Sequence, residues 1–526
     1  MIHIPHDIFE LLILMMMVSL VRILLNHYPL KRQNSLIAIS QFSLRRMHLP
    51  KNLDEYADWA MVLGIFALLL VPLWIVKYPA IVDFPNHLTR VAIARNIGKP
   101  GFDFAMYYRF TWHPTYLYFD LITYIFSFIF GLFIAAKMAL SLYILLFVAA
   151  TRYLLKSIKA PLLPFIFWPA LLTYNWWFWI GSINLLAGFC IGMFAMGFAW
   201  KNRESSLNPR FIAILLLLIL FSASCHPFCA LLTCAMVIPI LFSFVTRKPL
   251  RWLLMGGFII AVVCFEILLH VLYHQPWEPF TNLDRVRWML HGFYAPASEA
   301  RIMKVCLFAA FCIWCFYKKN ALKSYFMPFL LIVLIMITPH SISISGDNDM
   351  RCAMFLFFIV PCIVPSPQSK FWRSVLAIII LGCACYWNFL QVQKQQAAQP
   401  IYNEIERIAS ILSAAPIIRP VINFSGRAVD EASIYITFYR GGFTPFLFES
   451  SLHGLAYLKR PNCTAIETWE RVEQSCAGFY NFLVLPTYEP ARPEVGENDL
   501  AAMGFVRQFS GKYFNCYAKR TAMVQK

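Results

Sequence analysis

Charge is what this sequence has least of. Asp, Glu, Lys and Arg make up 14% of its 526 residues, against about a quarter in an ordinary water-soluble domain. That shortage excludes a soluble globular protein, because 60% of the residues are hydrophobic and a soluble fold needs a polar shell to cover them. Acidic residues are the scarcer kind, 27 against 45 basic ones, for a formal charge of +18. The surplus does not describe a nucleic-acid binder, since no basic stripe interleaved with polar or aromatic readers occurs. The cations sit instead in short clusters between apolar runs, such as Lys31/Arg32, Arg45/Arg46, Arg247/Lys248/Arg251, Lys318/Lys319/Lys323 and Lys370/Arg373. Cytoplasmic loops of membrane proteins have that pattern. No Cys-x-x-Cys pair is set among histidines, which excludes a structural zinc site of the usual spacing. Most of the 15 cysteines, Cys190, Cys225 and Cys229 among them, lie in apolar runs as small hydrophobes. In the polar tail Cys463 and Cys476 are one disulfide pairing open to an extracytoplasmic domain, and Cys516 is an equally available partner.

What the chain does have is about a dozen apolar runs near membrane-crossing length. The first, Ile8 to Leu25, holds Glu10 and Arg22 and no small-residue cleavage site, so it reads as a poor spanning or interfacial segment rather than a removed signal. The core begins with Trp59 to Val76. The further runs are Tyr116–Phe130, Ile134–Thr151, Pro161–Trp176, Ile183–Trp200, Phe211–Ala223, Phe228–Val245, Trp252–Leu272, Met303–Tyr317, Tyr325–Thr338, Cys352–Val364 and Phe371–Leu390. Residues 1–57 are thus an N-terminal extension, 58–390 a multi-span domain with an external loop at 77–115, and 391–526 a polar C-terminal domain. Its β-rich runs Ser433–Tyr439 and Phe482–Pro486 suggest a small α/β fold. The basic clusters place that domain outside the cytoplasm. They also require that one run between Tyr116 and Trp200 does not cross or joins its neighbour, or else that Arg152/Lys156/Lys159 is an external exception.

The most informative stretch follows the first core helix: Tyr78-Pro-Ala-Ile-Val-Asp83-Phe-Pro85-Asn86-His87-Leu-Thr-Arg90. Pro85 suits the first turn of a helix, where a missing N–H costs nothing. Asp83 then stands at or beside the N-cap, and Asn86, His87 and Arg90 follow on its face. A carboxylate, an amide, an imidazole and a guanidinium converge at the membrane surface. The plainer alternative makes Asp83 a helix cap and His87 a solvated side chain.

These residues resemble a family. A first core helix followed at once by an external loop with an acidic residue, then many helices and an extracytoplasmic tail, is similar to the GT-C glycosyltransferases. Asp83-x-Pro85-Asn86-His87-Leu88 resembles the Asp-x-Pro-Asn-His-Leu stretch of a bacterial branch of that superfamily. Trp179-Ile-Gly181-Ser-Ile-Asn184, the break at His226-Pro227, Asp349-x-Arg351 and Arg440-Gly-Gly-x-x-Pro445-x-x-Phe448 follow in the order found there. The resemblance implies an α-helical polytopic GT-C-like protein of the bacterial inner membrane with a small α/β extracytoplasmic C-terminal domain. It further implies a polyprenyl-phosphate sugar donor and a glycan or lipid acceptor, with Asp83 as base or acceptor-orienting carboxylate. Asn86, His87, Arg90, His340, Asp349 and Arg351 are its candidate substrate-binding residues; Arg351, Arg90 and His340 are the cations for the leaving phosphate. No cofactor is certain and a divalent metal stays open, with Asp83 and the more distant Asp103 the available acids.

Other polar residues carry two readings each. Asp120 and Lys137 are functional intramembrane charges or a pair bridging adjacent helices. Glu266, His270 and His274 share a helical face as a metal site requires, and as solvated helix-end residues do. His226 before Pro227 marks a kink or a catalytic group. Trp176, Trp177 and Trp179 form an interfacial belt or a stacking platform for a sugar. The loop from His274 to Arg301, with Trp277, Glu278, Asp284, Arg285, Arg287 and Trp288, reads as a lid or as ordinary interfacial chain. A transporter or flippase of a lipid-linked saccharide is the competing function, although no internal repeat of the transporter kind is found.

Overall fold

The computed structural model describes residues 53–202, 208–242, 348–363, 369–413, 415–420, 431–445, 455–458, 479–487 and 497–520, with a few single positions. The apolar runs at 8–25, 252–272, 303–317 and 325–338 lie outside these residues. So do Glu266, His270, His274, the loop at 274–301, His340, Cys463, Cys476 and the side chain of Asp349. Apart from a single helical turn at Phe104–Tyr107, the α-helices in chain order are α1 Leu53–Trp74, α2 Phe84–Asn96, α3 Leu117–Phe130, α4 Leu132–Ser157, α5 Trp168–Leu172, α6 Trp176–Ile180 and α7 Ile183–Lys201. Then come α8 Pro209–Cys225, α9 Pro227–Phe242, α10 Asn348–Ile363, α11 Lys370–Ile411, α12 Tyr435–Arg440 and α13 Glu497–Ala502.

Three of them, α4, α7 and α11, are long and apolar enough to cross a membrane. Shorter apolar helices at Asp58–Trp74, Leu117–Phe130, Pro209–Cys225 and Pro227–Leu241 accompany them, the composition of a multi-pass membrane protein. α4 and α7 run parallel. At one end the ring of Phe178 stacks over Tyr143 at 6.1 Å; at the other a Cβ on Gly197 would lie 2.9 Å from the Tyr153 ring and 3.2 Å from Ser157 Oγ. The chain between them must therefore return the full length of the bundle. It does so through the broken run Pro161–Ile180, whose Trp168 indole donates to the Phe357 carbonyl at 2.8 Å and whose Tyr174 hydroxyl donates to the Leu69 carbonyl.

α3 is a short helix in the stretch where the charge pattern needs one crossing fewer. Near its start Asp120 pairs with Arg90 of α2, and near its end the Ser127 carbonyl accepts from Arg95 of the same helix at 2.6 Å. α3 thus lies along α2. Its 14 residues give roughly 21 Å, short of the hydrocarbon core. Immediately after it, Phe133 of α4 meets the Tyr78 ring at 5.2 Å and Lys137 donates to the Val76 carbonyl. Both ends of α3 therefore stay at the end of the bundle where the first loop lies.

α8 and α9 form a hairpin. His226 between them is extended (φ −161°, ψ 126°), as the residue before Pro227 must be to avoid the proline ring. Close approach of α9 to α7 depends on Gly188, where a Cβ would sit 2.7 Å from Cys229 Sγ. α11 is 42 residues long, roughly twice what the hydrocarbon core needs. Its first half is apolar through Leu390; the second continues unbroken as an overhang that buries Gln391, Gln395, Ala398, Tyr402, Glu404, Ile405 and Ile408.

That overhang carries the C-terminal domain. A four-stranded sheet, in the order β2 Ile418–Pro420, β4 Phe482–Pro486, β6 Phe514–Lys519, β5 Phe505–Ser510, pairs β2 and β4 parallel and the rest antiparallel. Glu404 of α11 accepts the backbone N–H groups of Lys512, Tyr513 and Phe514 at 3.0, 2.9 and 2.6 Å, fixing the β5–β6 turn to the helix. Phe482–Pro486 is the expected strand, buried at all five positions. Ser433–Tyr439 is not a strand: it is a 3-10 turn at Ala432–Ile434 followed by α12. Its bulky residues Ile434, Tyr435 and Ile436 are fully buried, so packing overrides their β propensity. A separate ribbon pairs β1 Tyr108–Phe110, from the first loop, with β3 Leu455–Tyr457 from the tail. Ile93, Phe104 and Tyr108 share one core with Phe443, Tyr480 and Leu483. The first loop and the C-terminal domain are thus one body at one end of the helices.

Candidate functional site

The site is organised by α6. Asn175 caps its start, accepting from the Phe178 N–H at 3.0 Å. Gly181 ends it in the left-handed region (φ +103°), with Ser182 N–H returning to the Trp177 carbonyl at 2.8 Å and Gly181 N–H to Phe178 at 3.1 Å. Two terminal carbonyls remain, and the first loop takes both. Val82 and Asp83 donate their N–H groups to Trp179 and Ile180 at 2.9 and 3.1 Å. The His87 ring Nε2 lies 3.2 Å from the Gly181 carbonyl. A Cβ on Gly181 would stand 2.6 Å from Asp83 Cβ, so only glycine lets the two segments meet. Asn184, at the start of α7, accepts the Phe119 N–H at 2.8 Å and thereby caps α3.

Asp83 occupies the N-cap position of α2 but does not cap it. Its backbone is already helical (φ −80°, ψ 0°) and its side chain makes no capping hydrogen bond. The carboxyl is half-buried, and among the described residues it has no hydrogen-bond or ion-pair partner. Burial pushes its pKa up to about 8, because the charged form is poorly solvated there.

His87 and Arg90 do not surround that carboxyl. They face Asp120 on α3, in a buried set where Arg90 Nε donates to Asp120 Oδ2 at 2.9 Å and His87 Nδ1 stands 3.8 Å from Oδ1. Arg90 is fully buried and pairs with Asp120, which clamps the two helices together. Burial holds the His87 imidazole toward its neutral form. Asn86 is buried beside them. Asp120 and Lys137 are not a pair, since Lys137 donates to Val76 and lies 5.6 Å over the Trp74 ring.

Two other cations stand on the indoles of α6. The Arg351 guanidinium lies 5.3 Å from the Trp177 ring centroid, with Nη1 3.3 Å from His226 Nε2. Tyr116 stacks edge-on against His226 at 4.8 Å. Lys394, on the overhang of α11, lies 3.8 Å from the Trp179 centroid and has no acidic partner among the described residues. Trp177 and Trp179 are buried at 1% and 2% exposure, which corrects the interfacial-belt reading for both. His226 does mark a helix break, and it also joins the Arg351 cluster.

Lys394 was not a sequence candidate. Its signal was the glutamine-rich stretch continuing the helical period past Leu390, where Gln395 and Gln399 hold the first loop. Gln395 Oε1 accepts from Ala80 N–H at 2.6 Å, and Gln399 bonds both the N–H and the carbonyl of Tyr78 at 3.1 and 2.8 Å. Among the described residues no group of three or more His, Cys, Asp or Glu side chains is placed to hold a metal. No family model matches the chain, and no curated protein matches it either.

Proposed function

We propose that this protein is a GT-C-type membrane glycosyltransferase. It moves a sugar from a polyprenyl-phosphate donor to a glycan or lipid acceptor at the extracytoplasmic face of the membrane. The carrying observation is Asp83: a half-buried carboxyl with a raised pKa and no partner among the described residues, in the loop that the overhang of α11 holds. Such a carboxylate accepts the proton of an acceptor hydroxyl as that oxygen attacks the anomeric carbon. The bond from anomeric carbon to phosphate oxygen breaks, and the phosphate leaves with the electron pair. Lys394 and Arg351, each mounted on an indole face, are the cations suited to that departing charge. The tail domain, fixed to the first loop through β1 and β3, supports the acceptor side.

The test is sugar transfer by the purified full chain in lipid nanodiscs supplied with polyprenyl-phosphate sugars. Asp83→Asn is expected to abolish transfer without altering expression or monodispersity; full activity in that variant contradicts the assignment. A second reading, a flippase for the same lipid, is favoured by the discontinuous α5–α6 segment, since transporters place such breaks at their substrate sites. Translocation in proteoliposomes with no new glycosidic bond would support it instead.

A further inference from the structure

α11 carries a row of buried amides where it leaves the apolar span. Asn388, Gln391 and Gln395 follow one another at about one helical turn, and all are buried at 3% exposure or less. Each leaves one polar atom without a partner: Asn388 Oδ1, Gln391 Oε1 and Gln395 Nε2. Their orientations are fixed at two positions, because Asn388 Nδ2 donates to the Ala384 carbonyl at 2.9 Å and Gln395 Oε1 accepts from Ala80 N–H. The indole N–H groups of Trp177 and Trp179 are likewise buried and unpartnered. These elements adjoin, since Lys394, beside Gln395, lies on the Trp179 ring, and the Trp179 carbonyl holds Val82 next to Asp83.

A buried polar atom left unpaired is costly, and native proteins keep such atoms for a reason. Here three donors and two acceptors, none of them charged, lie on two adjoining elements. A phosphate would be met by donors alone, and a prenyl chain by no polar atoms at all. Hydroxyl groups both donate and accept, and a sugar presents several of them.

We infer that Asn388, Gln391 and Gln395 of α11, with the Trp177 and Trp179 indoles, form a saccharide subsite that reads sugar hydroxyls beside Asp83, and that Gln391 is a specificity-determining residue in it. The inference deepens the transferase reading and rests on it for the lipid to which the sugar is joined. Among the described residues Gln391 makes no hydrogen bond to the loop that carries Asp83, unlike Gln395, so its replacement leaves the loop's anchors in place.

The test is a tryptophan-fluorescence titration of the full chain in nanodiscs. The probes are a bare polyprenyl phosphate, the same lipid carrying glucose, and its 2-, 3-, 4- and 6-deoxy analogues. The wild type is expected to bind the sugar-bearing lipid more tightly than the bare one and to lose about tenfold or more for at least one deoxy analogue. Gln391→Leu is expected to erase the loss at one hydroxyl position while leaving affinity for the bare lipid unchanged. Equal wild-type affinity across the deoxy series overturns the inference, as water would then be what satisfies these groups. So does a Gln391→Leu variant with an unaltered pattern. If that variant does not fold, the wild-type series alone decides. Hydroxyl discrimination without any sugar transfer by the wild type would sink the transferase reading and leave the subsite standing.

Discussion

Asp83 sets two opposing demands at one position. A base must be ionised, yet burial favours its neutral form up to about pH 8. Transfer is therefore expected to climb with pH toward about 8 and to fall above it, where Lys394, whose pKa burial lowers to about 8, loses its charge, read as the pH dependence of kcat/KM. Stability has the opposite sign. In the unfolded chain the carboxyl titrates near 4, so the folded form holds its proton more firmly. The stability this gives is complete below about pH 4 and is lost as pH rises through about 8. Asp83→Asn keeps the side chain neutral throughout, so its thermal midpoint is expected to match the wild type at pH 4 and exceed it by a few degrees at pH 9. Gly181→Ala bears on the same pair, since the added methyl meets Asp83 Cβ at 2.6 Å in a left-handed backbone. It is expected to lower transfer at least tenfold and to destabilise by about 1–3 kcal/mol, checked by thermal unfolding beside the assay. The sequence alone marked Asp83 but not its surroundings. A motif face at i, i+3, i+4 and i+7 puts His87 and Arg90 together; it does not say that Asp120, thirty residues on, takes both of them away from the carboxyl.

At the scale of elements, α2 and α3 are held by that buried charge set. Removing one partner strands the other in a poor solvent, so Asp120→Leu is expected to cost about 3–5 kcal/mol by leaving Arg90 unpaired. The double change Asp120→Leu with Arg90→Met should recover most of the loss, because both charges then go. Differential scanning calorimetry of the solubilised variants measures both. Apolar length located α4, α7, α8 and α9 closely in sequence, since period and length are local properties. It could not separate α3, which lies along α2, from a crossing helix, because apolar composition reports the surroundings of a segment and not its direction. α11 was legible only through Leu390, as hydropathy stops where the helix does not. The strand expected at Ser433–Tyr439 became α12 for the same kind of reason: bulky side chains signal burial, and here the burying surface fits a helix.

At the scale of the whole molecule, the first loop and the tail form one body joined by β1 and β3 and by the α11 overhang. They must therefore lie on the same side of the membrane. Single cysteines introduced at Lys99 and Lys512, on a background free of other reactive thiols, are expected to label together with an impermeant maleimide applied outside the cell. Labelling of one without the other would contradict the shared body. The most direct measurement is release of radiolabelled sugar from a polyprenyl-phosphate donor to acceptor, followed from pH 5 to 9 in wild type and Asp83→Asn. The wild-type rate is expected to rise to a maximum near pH 8, and the variant to be at least a hundredfold slower at every pH. A variant with the wild-type rate and profile would contradict it.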